Sequence, residues 1–243
     1  MIAGNWKMHG LAAALDEARA LAALLKTRPA NARVALCPPS TLIARMAWAL
    51  DGADIAIGGQ DCRAEAAGAF TGDVSAEMLR NAGATLVILG HSERRAGHGE
   101  SDAAVAAKVV GALRAGLEPI ICVGESLEER QAGRAMDVVR GQVRGSLPAE
   151  LAGRTFAVAY EPVWAIGSGL VPSLEDIDAM HAAIRSDLVE AFGAADAGAP
   201  ILYGGSVKPA NAREILSLTN VNGALVGGAS LKAAEFIEII RAV

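Results

Sequence analysis

The sequence contains eight short runs rich in Val, Ile and Leu, separated by segments with helical periodicity. Within each run the apolar residues are continuous and do not alternate with polar ones, which is typical of strands that are covered on both faces. Strands of this kind belong to parallel sheets, because the connecting helices pack on both sides. The runs are residues 2–6, 33–37, 54–58, 85–89, 119–123, 156–160, 200–203 and 224–226.

The segments between the runs predict amphipathic helices with apolar residues every three or four positions. Ser173 and Asp176 form a carboxylate variant of the capping box, which predicts a helix start. Pro209 predicts another start, because a proline at the first helical position sacrifices no hydrogen bond. The clearest stripes are Leu11, Leu15, Ala18, Ala22, Leu25 and Ile177, Met180, Ile184, Leu188.

Eight strand and helix units in 243 residues predict one α/β domain over residues 1–243. We expect a closed (β/α)8 barrel of eight parallel strands, each followed by a helix, because closure leaves no sheet edge exposed. An open doubly wound sheet is the architectural alternative. Residues 60–75 form the longest stretch without periodicity, and a loop of that length is expected to be an interaction loop.

Composition excludes several classes of partner. The net charge is −5, so no basic face is expected for nucleic acid or an anionic membrane. The cysteines Cys37, Cys62 and Cys122 are widely spaced and form no CxxC pair, which disfavours a structural zinc or redox site. The chain shows neither a signal peptide nor an apolar run of about 20 residues. We therefore expect a cytoplasmic protein with no nucleic-acid or membrane partner and no bound metal.

Polar residues that are unusual for a core follow the predicted strands. In a barrel they all face the end at which active sites lie. The alternative is that they are polar only because loops are solvated, and for any single residue that alternative is as good. They are Asn5, Lys7, Gln60, His91, Glu93, Glu125, Glu161 and Ser206.

Six segments, in order, carry a resemblance to a known family: GNWKM at 4–8, GAFTG at 68–72, GHSERR at 90–95, YEPVWAIG at 160–167, YGGSV at 203–207 and VGGASL at 226–231. Through them the chain resembles the triosephosphate isomerase family from end to end. The resemblance implies a TIM barrel that acts in glycolysis and gluconeogenesis. It also implies interconversion of dihydroxyacetone phosphate and D-glyceraldehyde 3-phosphate through an enediolate, without metal or cofactor.

The resemblance also implies catalytic roles. Glu161 would remove a proton beside the substrate carbonyl and return it to the neighbouring carbon. His91 would polarise the carbonyl, and its place between a strand and a predicted helix start allows the helix dipole to depress its pKa. Lys7 would supply positive charge, paired with Glu93, and Asn5 would donate a hydrogen bond to the substrate.

The remaining expected site residues bind phosphate or cover it. Gly167, Ser206, Gly227 and Gly228 would offer close backbone donors, and residues 229–232 would start a short helix aimed at the anion. Water would be excluded by a lid resembling that of the family. The lid consists of Pro162, Val163, Trp164, Ala165, Ile166, Gly167 and Ser168.

Two further expectations follow from the family. Cys122 would support Glu161 by packing and would not act as a nucleophile. The loop at 60–75, with Thr71, would enter a second copy of the chain in a homodimer. The other histidines, His9, His98 and His181, are expected to be structural.

Three other functions are alternatives to triose phosphate isomerisation. A different phosphate-binding barrel, such as a sugar-phosphate isomerase of amino-acid biosynthesis, would share the glycines but would use other acid and base groups. A nucleotide-binding protein is disfavoured because the sequence has no GxGxxG or Walker A motif. A catalytically silent barrel would keep the fold and show no turnover.

Overall fold

The computed structural model describes residues 1–166, 170–196 and 198–243, without the side chains of 194–196. Eight parallel strands form a closed barrel in the order β1 to β8, so the predicted barrel is confirmed. The strands are β1 Ile2–Asn5, β2 Val34–Cys37, β3 Ala56–Gly59, β4 Leu86–Leu89, β5 Glu118–Val123, β6 Ala157–Tyr160, β7 Ile201–Tyr203 and β8 Ala224–Val226.

Each strand is followed by at least one α-helix. Among the described residues, no helix has the length and apolar character needed to cross a bilayer. The helices are α1 Leu15–Thr27, α2 Ile43–Ala49, α3 Ala76–Asn81, α4 Ser92–His98, α5 Asp102–Arg114, α6 Leu127–Gln131, α7 Ala135–Ser146, α8 Leu174–Asp196, α9 Pro209–Leu216 and α10 Ala233–Ile240. Short 3₁₀ helices are Ala12–Ala14, Ser40–Leu42, Ala149–Leu151, Val163–Ala165 and Gly228–Ser230.

Most predicted helix starts are confirmed. The Asp176 amide donates to Ser173 Oγ at 3.1 Å before α8, and α9 begins at Pro209. The short helix predicted at 229–232 is a 3₁₀ helix that starts at Gly228. The prediction for Leu11 was wrong, because α1 begins only at Leu15 and Leu11 is exposed.

The core has two layers, and alternate residues of each strand contribute to different layers. In β4, Leu86 and Ile88 pack inside the barrel, whereas Val87 and Leu89 pack in the layer between strands and helices. Both layers are buried, which explains why the strands read as continuous apolar runs.

The boundaries of every strand except β8 differ from the prediction by one or two residues, and for two strands the structure shows the reason. β1 ends at Asn5 because Lys7 has a left-handed backbone with φ of 51°, which cannot continue an extended strand. β3 covers Ala56–Gly59 instead of 54–58, since its pairing with β2 begins at Ala56. The parallel strands bring all their carboxyl ends to one rim, and the predicted polar residues follow those ends.

Candidate active site

A cavity of about 420 Å³ opens at the carboxyl ends of the strands. Ionisable side chains and glycine backbone together form its wall. Ile166 of the predicted lid also borders it, while Gly167 and Ser168 lie outside the described residues. The other predicted site residues that line the cavity are Asn5, Lys7, His91, Glu161, Ser206, Gly227 and Gly228.

Lys7 is held in a strained position at the end of β1. Its left-handed φ of 51° is uncommon for a residue with a side chain, and residues held in such conformations cluster at functional sites. Its amide donates to Asn5 Oδ1 at 2.9 Å, and its carbonyl accepts from Gln60 Nε2 at 2.8 Å. Its Nζ lies 2.6 Å from Glu93 Oε1, so the predicted ion pair is present. These contacts hold the ammonium group at the cavity wall.

His91 precedes α4 and is 6% exposed. Its Nδ1 accepts a hydrogen bond from the Glu93 amide at 3.2 Å, so Nδ1 carries no proton in this arrangement. Its Nε2 lies 2.9 Å from Glu161 Oε1. The backbone of α4 therefore selects a neutral imidazole with its proton on Nε2, facing Glu161.

Glu161 directly follows β6 and is 1% exposed. Besides His91, it accepts hydrogen bonds from the Ser92 amide at 3.0 Å and from Ser92 Oγ at 3.2 Å. Burial acts to raise the pKa of this carboxyl, but the contacts with His91, the Ser92 amide and the Cys122 thiol outweigh it and hold the pKa below its ordinary value. The site therefore contains a buried, ionised carboxylate.

Cys122 lies inside the barrel at the end of β5, fully buried. Its thiol hydrogen-bonds to Glu161, and burial raises the pKa of the thiol well above its ordinary value. A thiolate is disfavoured there, and the contact is that of a neutral donor supporting a carboxylate.

Glu125 follows β5 but does not line the cavity, contrary to the expectation from its place after a strand. Its Oε1 accepts from Tyr160 Oη at 3.1 Å and from Trp164 Nε1 at 2.8 Å. The Arg130 guanidinium contacts the same oxygen at 3.3 Å and lies 4.6 Å from the centre of the Trp164 ring. Glu125 thus anchors Trp164 of the predicted lid by a hydrogen bond made outside the cavity.

Gly227 and Gly228 contribute backbone to another part of the cavity wall. A Cβ added to Gly228 would meet no described atom within 4 Å, and one added to Gly227 would meet only Lys7 Cε at 3.6 Å. Packing therefore does not require glycine at either position. Their missing side chains leave space in the cavity, and Gly228 begins the 3₁₀ helix Gly228–Ser230, whose first amides are available to an anion.

The loop at 60–75 is fastened at its base. Arg63 pairs with Ser75 in a β-bridge, and its guanidinium lies 2.6 Å from Asp73 Oδ2 and 3.6 Å from the Phe70 ring centre. Thr71 at the tip is exposed and is not part of the cavity wall of this chain. Thr71 therefore lies at the surface of this chain and does not contribute to its own cavity.

Three residues near the site had no predicted catalytic or binding role. Ser92 contacts Glu161, and its signal is its position after His91 at the start of α4. His9 lines the cavity, so its assignment as merely structural was incomplete. Gln142 on α7 contacts backbone beside Glu161 and gives no local sequence signal. His181, by contrast, is buried against Tyr160, and burial lowers its pKa to about 4.

The fold and site define a (β/α)8-barrel enzyme that pairs a buried carboxylate with an imidazole in a cavity also lined by glycines. All of residues 1–243 match the family model for triosephosphate isomerase. The triosephosphate isomerase of Caulobacter vibrioides is 60% identical, over 100% of this chain and 96% of that protein, and the one of Afipia carboxidovorans is 57% identical over the same shares. The crystal structure of triosephosphate isomerase from Bartonella henselae matches with a TM-score of 0.92 at 47% identity, over 99% of this chain and 97% of that one. The chain belongs to the triosephosphate isomerase family.

Proposed function

We propose that the chain interconverts dihydroxyacetone phosphate and D-glyceraldehyde 3-phosphate, the activity for which its family is named. The observation that supports this most directly is the buried pair of Glu161 and His91 at a cavity that also contains Lys7. A base, a proton donor and a cation around one cavity are the groups needed to move a proton beside a carbonyl.

Glu161 is the base. It takes the proton from the carbon beside the carbonyl, which gives an enediolate, and returns it to the neighbouring carbon. Only an ionised carboxylate can accept that proton, and the low pKa of Glu161 keeps it ionised at neutral pH. Its present contacts with Ser92 and His91 are exchanged for the substrate when substrate binds.

His91 is the proton donor to the substrate oxygens. Its neutral imidazole, set by the Glu93 amide on Nδ1, presents Nε2–H to the cavity side. A neutral donor polarises a carbonyl and carries protons between the two oxygens of the enediolate without leaving a strong acid in the site.

Lys7 and Asn5 stabilise charge on the substrate. The Lys7 ammonium, oriented by Glu93, offsets the negative charge of the enediolate and phosphate. Asn5 Oδ1 is occupied by the Lys7 amide, so its side-chain NH₂ is the group that donates to the substrate. Gly167, Ser206, Gly227 and Gly228 bind the phosphate.

Residues 162–168 form the lid. An enediolate exposed to water can expel the neighbouring phosphate, so closure protects the intermediate. Trp164, whose Nε1 donates to Glu125 Oε1, is one of the lid residues that connect the lid to the barrel.

The chain is further proposed to act as one cytoplasmic domain and as a homodimer through the loop at 60–75, without cofactor, metal or nucleic acid. The dimer proposal is supported by the exposed Thr71 and by large apolar side chains at the surface, with Met8 94% and Trp48 82% exposed. The location is supported by three cysteines that are all free and buried.

A coupled steady-state assay with D-glyceraldehyde 3-phosphate, in the presence of a chelator, tests the function. We expect rapid turnover by the wild type, almost none by folded Glu161→Gln, and wild-type turnover by Glu214→Gln, which alters an exposed carboxylate of α9. A wild type without turnover, or an active Glu161→Gln, would contradict the proposal.

A further inference from the structure

Gln142 on α7 binds a single backbone residue with both ends of its amide. Its Oε1 accepts from the Gly124 N–H at 2.7 Å, and its Nε2 donates to the Gly124 carbonyl at 3.0 Å. Gly124 is the first residue after β5. Both hydrogen-bonding groups of this residue are therefore fixed by one side chain from the helix layer.

Gly124 lies directly against the main chain of Glu161. A Cβ added to Gly124 would be 1.7 Å from the Glu161 carbonyl oxygen and 2.7 Å from its carbonyl carbon. On either side of this contact, the Glu161 amide donates to the Val123 carbonyl at 2.7 Å and the Val163 amide donates to the Glu125 carbonyl at 3.1 Å. A movement of Gly124 is therefore transmitted to the backbone of Glu161.

Packing alone does not fix this segment. A second cavity of about 170 Å³ lies beside Glu161 and is bordered by Gly124, Gln142, Ser92 and Val163. Because the segment faces open space there, the two hydrogen bonds from Gln142 hold Gly124 on that side.

We propose that Gln142 is a positioning residue for Glu161. Its amide holds Gly124, and Gly124 holds the main chain from which the Glu161 carboxylate reaches the substrate. The inference rests on the proposed role of Glu161 as the base. A displacement of a reacting group by about 1 Å can cost on the order of 100-fold in rate, so a smaller shift of this backbone is expected to be visible in kcat.

The test is Gln142→Met, which preserves length and removes both hydrogen bonds. The matched control is Gln131→Met on the exposed end of α6. Active sites are titrated with a phosphorylated enediolate mimic, so that kcat refers to folded protein. We expect Gln142→Met to lower kcat on the order of 10-fold with KM within about 2-fold, and Gln131→Met to change neither.

A double-mutant cycle with Glu161→Asp separates positioning from general damage. Because the shorter carboxylate is already misplaced, we expect Gln142→Met to cost less than about 3-fold in that background. A wild-type kcat in Gln142→Met, or the same loss in both backgrounds, would overturn the inference. If Gln142→Met does not fold, Gln142→Glu, which keeps only the acceptor, replaces it: a reduced kcat supports the inference and a wild-type kcat overturns it. Wild-type turnover is measured in the same assay, and its absence would overturn the proposed function as well.

Discussion

Glu161 and Glu125 follow neighbouring strands and are both buried, but their surroundings differ. Both oxygens of Glu161 accept hydrogen bonds, and its pKa lies below the ordinary value. At Glu125, Tyr160, Trp164 and Arg130 all donate to Oε1, while Oε2 has no hydrogen-bond partner among the described residues, and burial raises the pKa of the carboxyl. Burial alone does not decide the charge of a carboxyl, because the placement of the donors can reverse its effect.

The difference separates two tasks at one rim. Glu161 borders the cavity and is available to a substrate. Glu125 does not border the cavity and is buried, with hydrogen bonds from Tyr160 and Trp164. We therefore expect chemical steps to depend on the surroundings of Glu161, and lid anchoring to depend on the surroundings of Glu125.

The largest effect is expected when the cation near each site is removed, Lys7 at the cavity and Arg130 beside Glu125. Lys7→Ala should lower kcat/KM by at least about 150-fold, or about 3 kcal/mol, because the ammonium acts on charge that develops in the cavity. Arg130→Ala, beside Glu125, should lower it by less than about 10-fold. Steady-state kinetics of both variants measure the contrast, and equal losses would break it.

Shortening each carboxylate sharpens the contrast. Glu161→Asp should lower kcat roughly 100-fold, because proton transfer tolerates little displacement of the base. Glu125→Asp should lower kcat by less than about 10-fold, because it touches no reacting atom. An unchanged kcat in Glu161→Asp would remove Glu161 from the role of base.

A change on the glycine wall tests whether the cavity beside Glu161 binds the phosphate. Gly228→Ala adds a methyl group where no described atom lies within 4 Å, so the melting temperature should stay unchanged. Its KM should rise about 10-fold, because the methyl group occupies ligand space. A lower melting temperature with an unchanged KM would assign Gly228 to the fold instead.

The smallest effect is the pH dependence of stability. A lowered pKa gives Glu161 a stabilising contribution that is present above the ordinary glutamate pKa and is lost as the pH falls through the folded-state pKa. The raised pKa of Glu125 has the opposite sign, since its penalty disappears as the pH falls. Urea unfolding on acidification should therefore show the wild type losing its advantage over Glu161→Gln and gaining relative to Glu125→Gln. Parallel trends for the two variants would contradict the contrast.

The sequence could predict the barrel and the residues of its rim, because continuous apolar runs and parallel order follow from local pattern. Position after a strand could not separate Glu125 from Glu161 without the family resemblance, since the burial of Glu125 depends on side chains contributed by β6 and the segment after it. Gln142 gave no signal because its contact with Gly124 spans 18 residues and joins two layers. The strained Lys7 was also out of reach, because Gln60 from another strand end holds it. The roles expected for Gly167 in phosphate binding and for Gly167 and Ser168 in the lid remain predictions, because both residues lie outside the described part of the chain.

The most direct test of the central claim, that Glu161 moves a proton through an enediolate, is isomerisation in D₂O followed by NMR. The account predicts that product formed by the wild type carries deuterium, at least in part, at the carbon that receives the proton, and that Glu161→Gln forms almost no product. Product from the wild type that carries only protium at that carbon, together with wild-type turnover by Glu161→Gln, would contradict the claim, because the hydrogen would then move between the two carbons without the carboxylate.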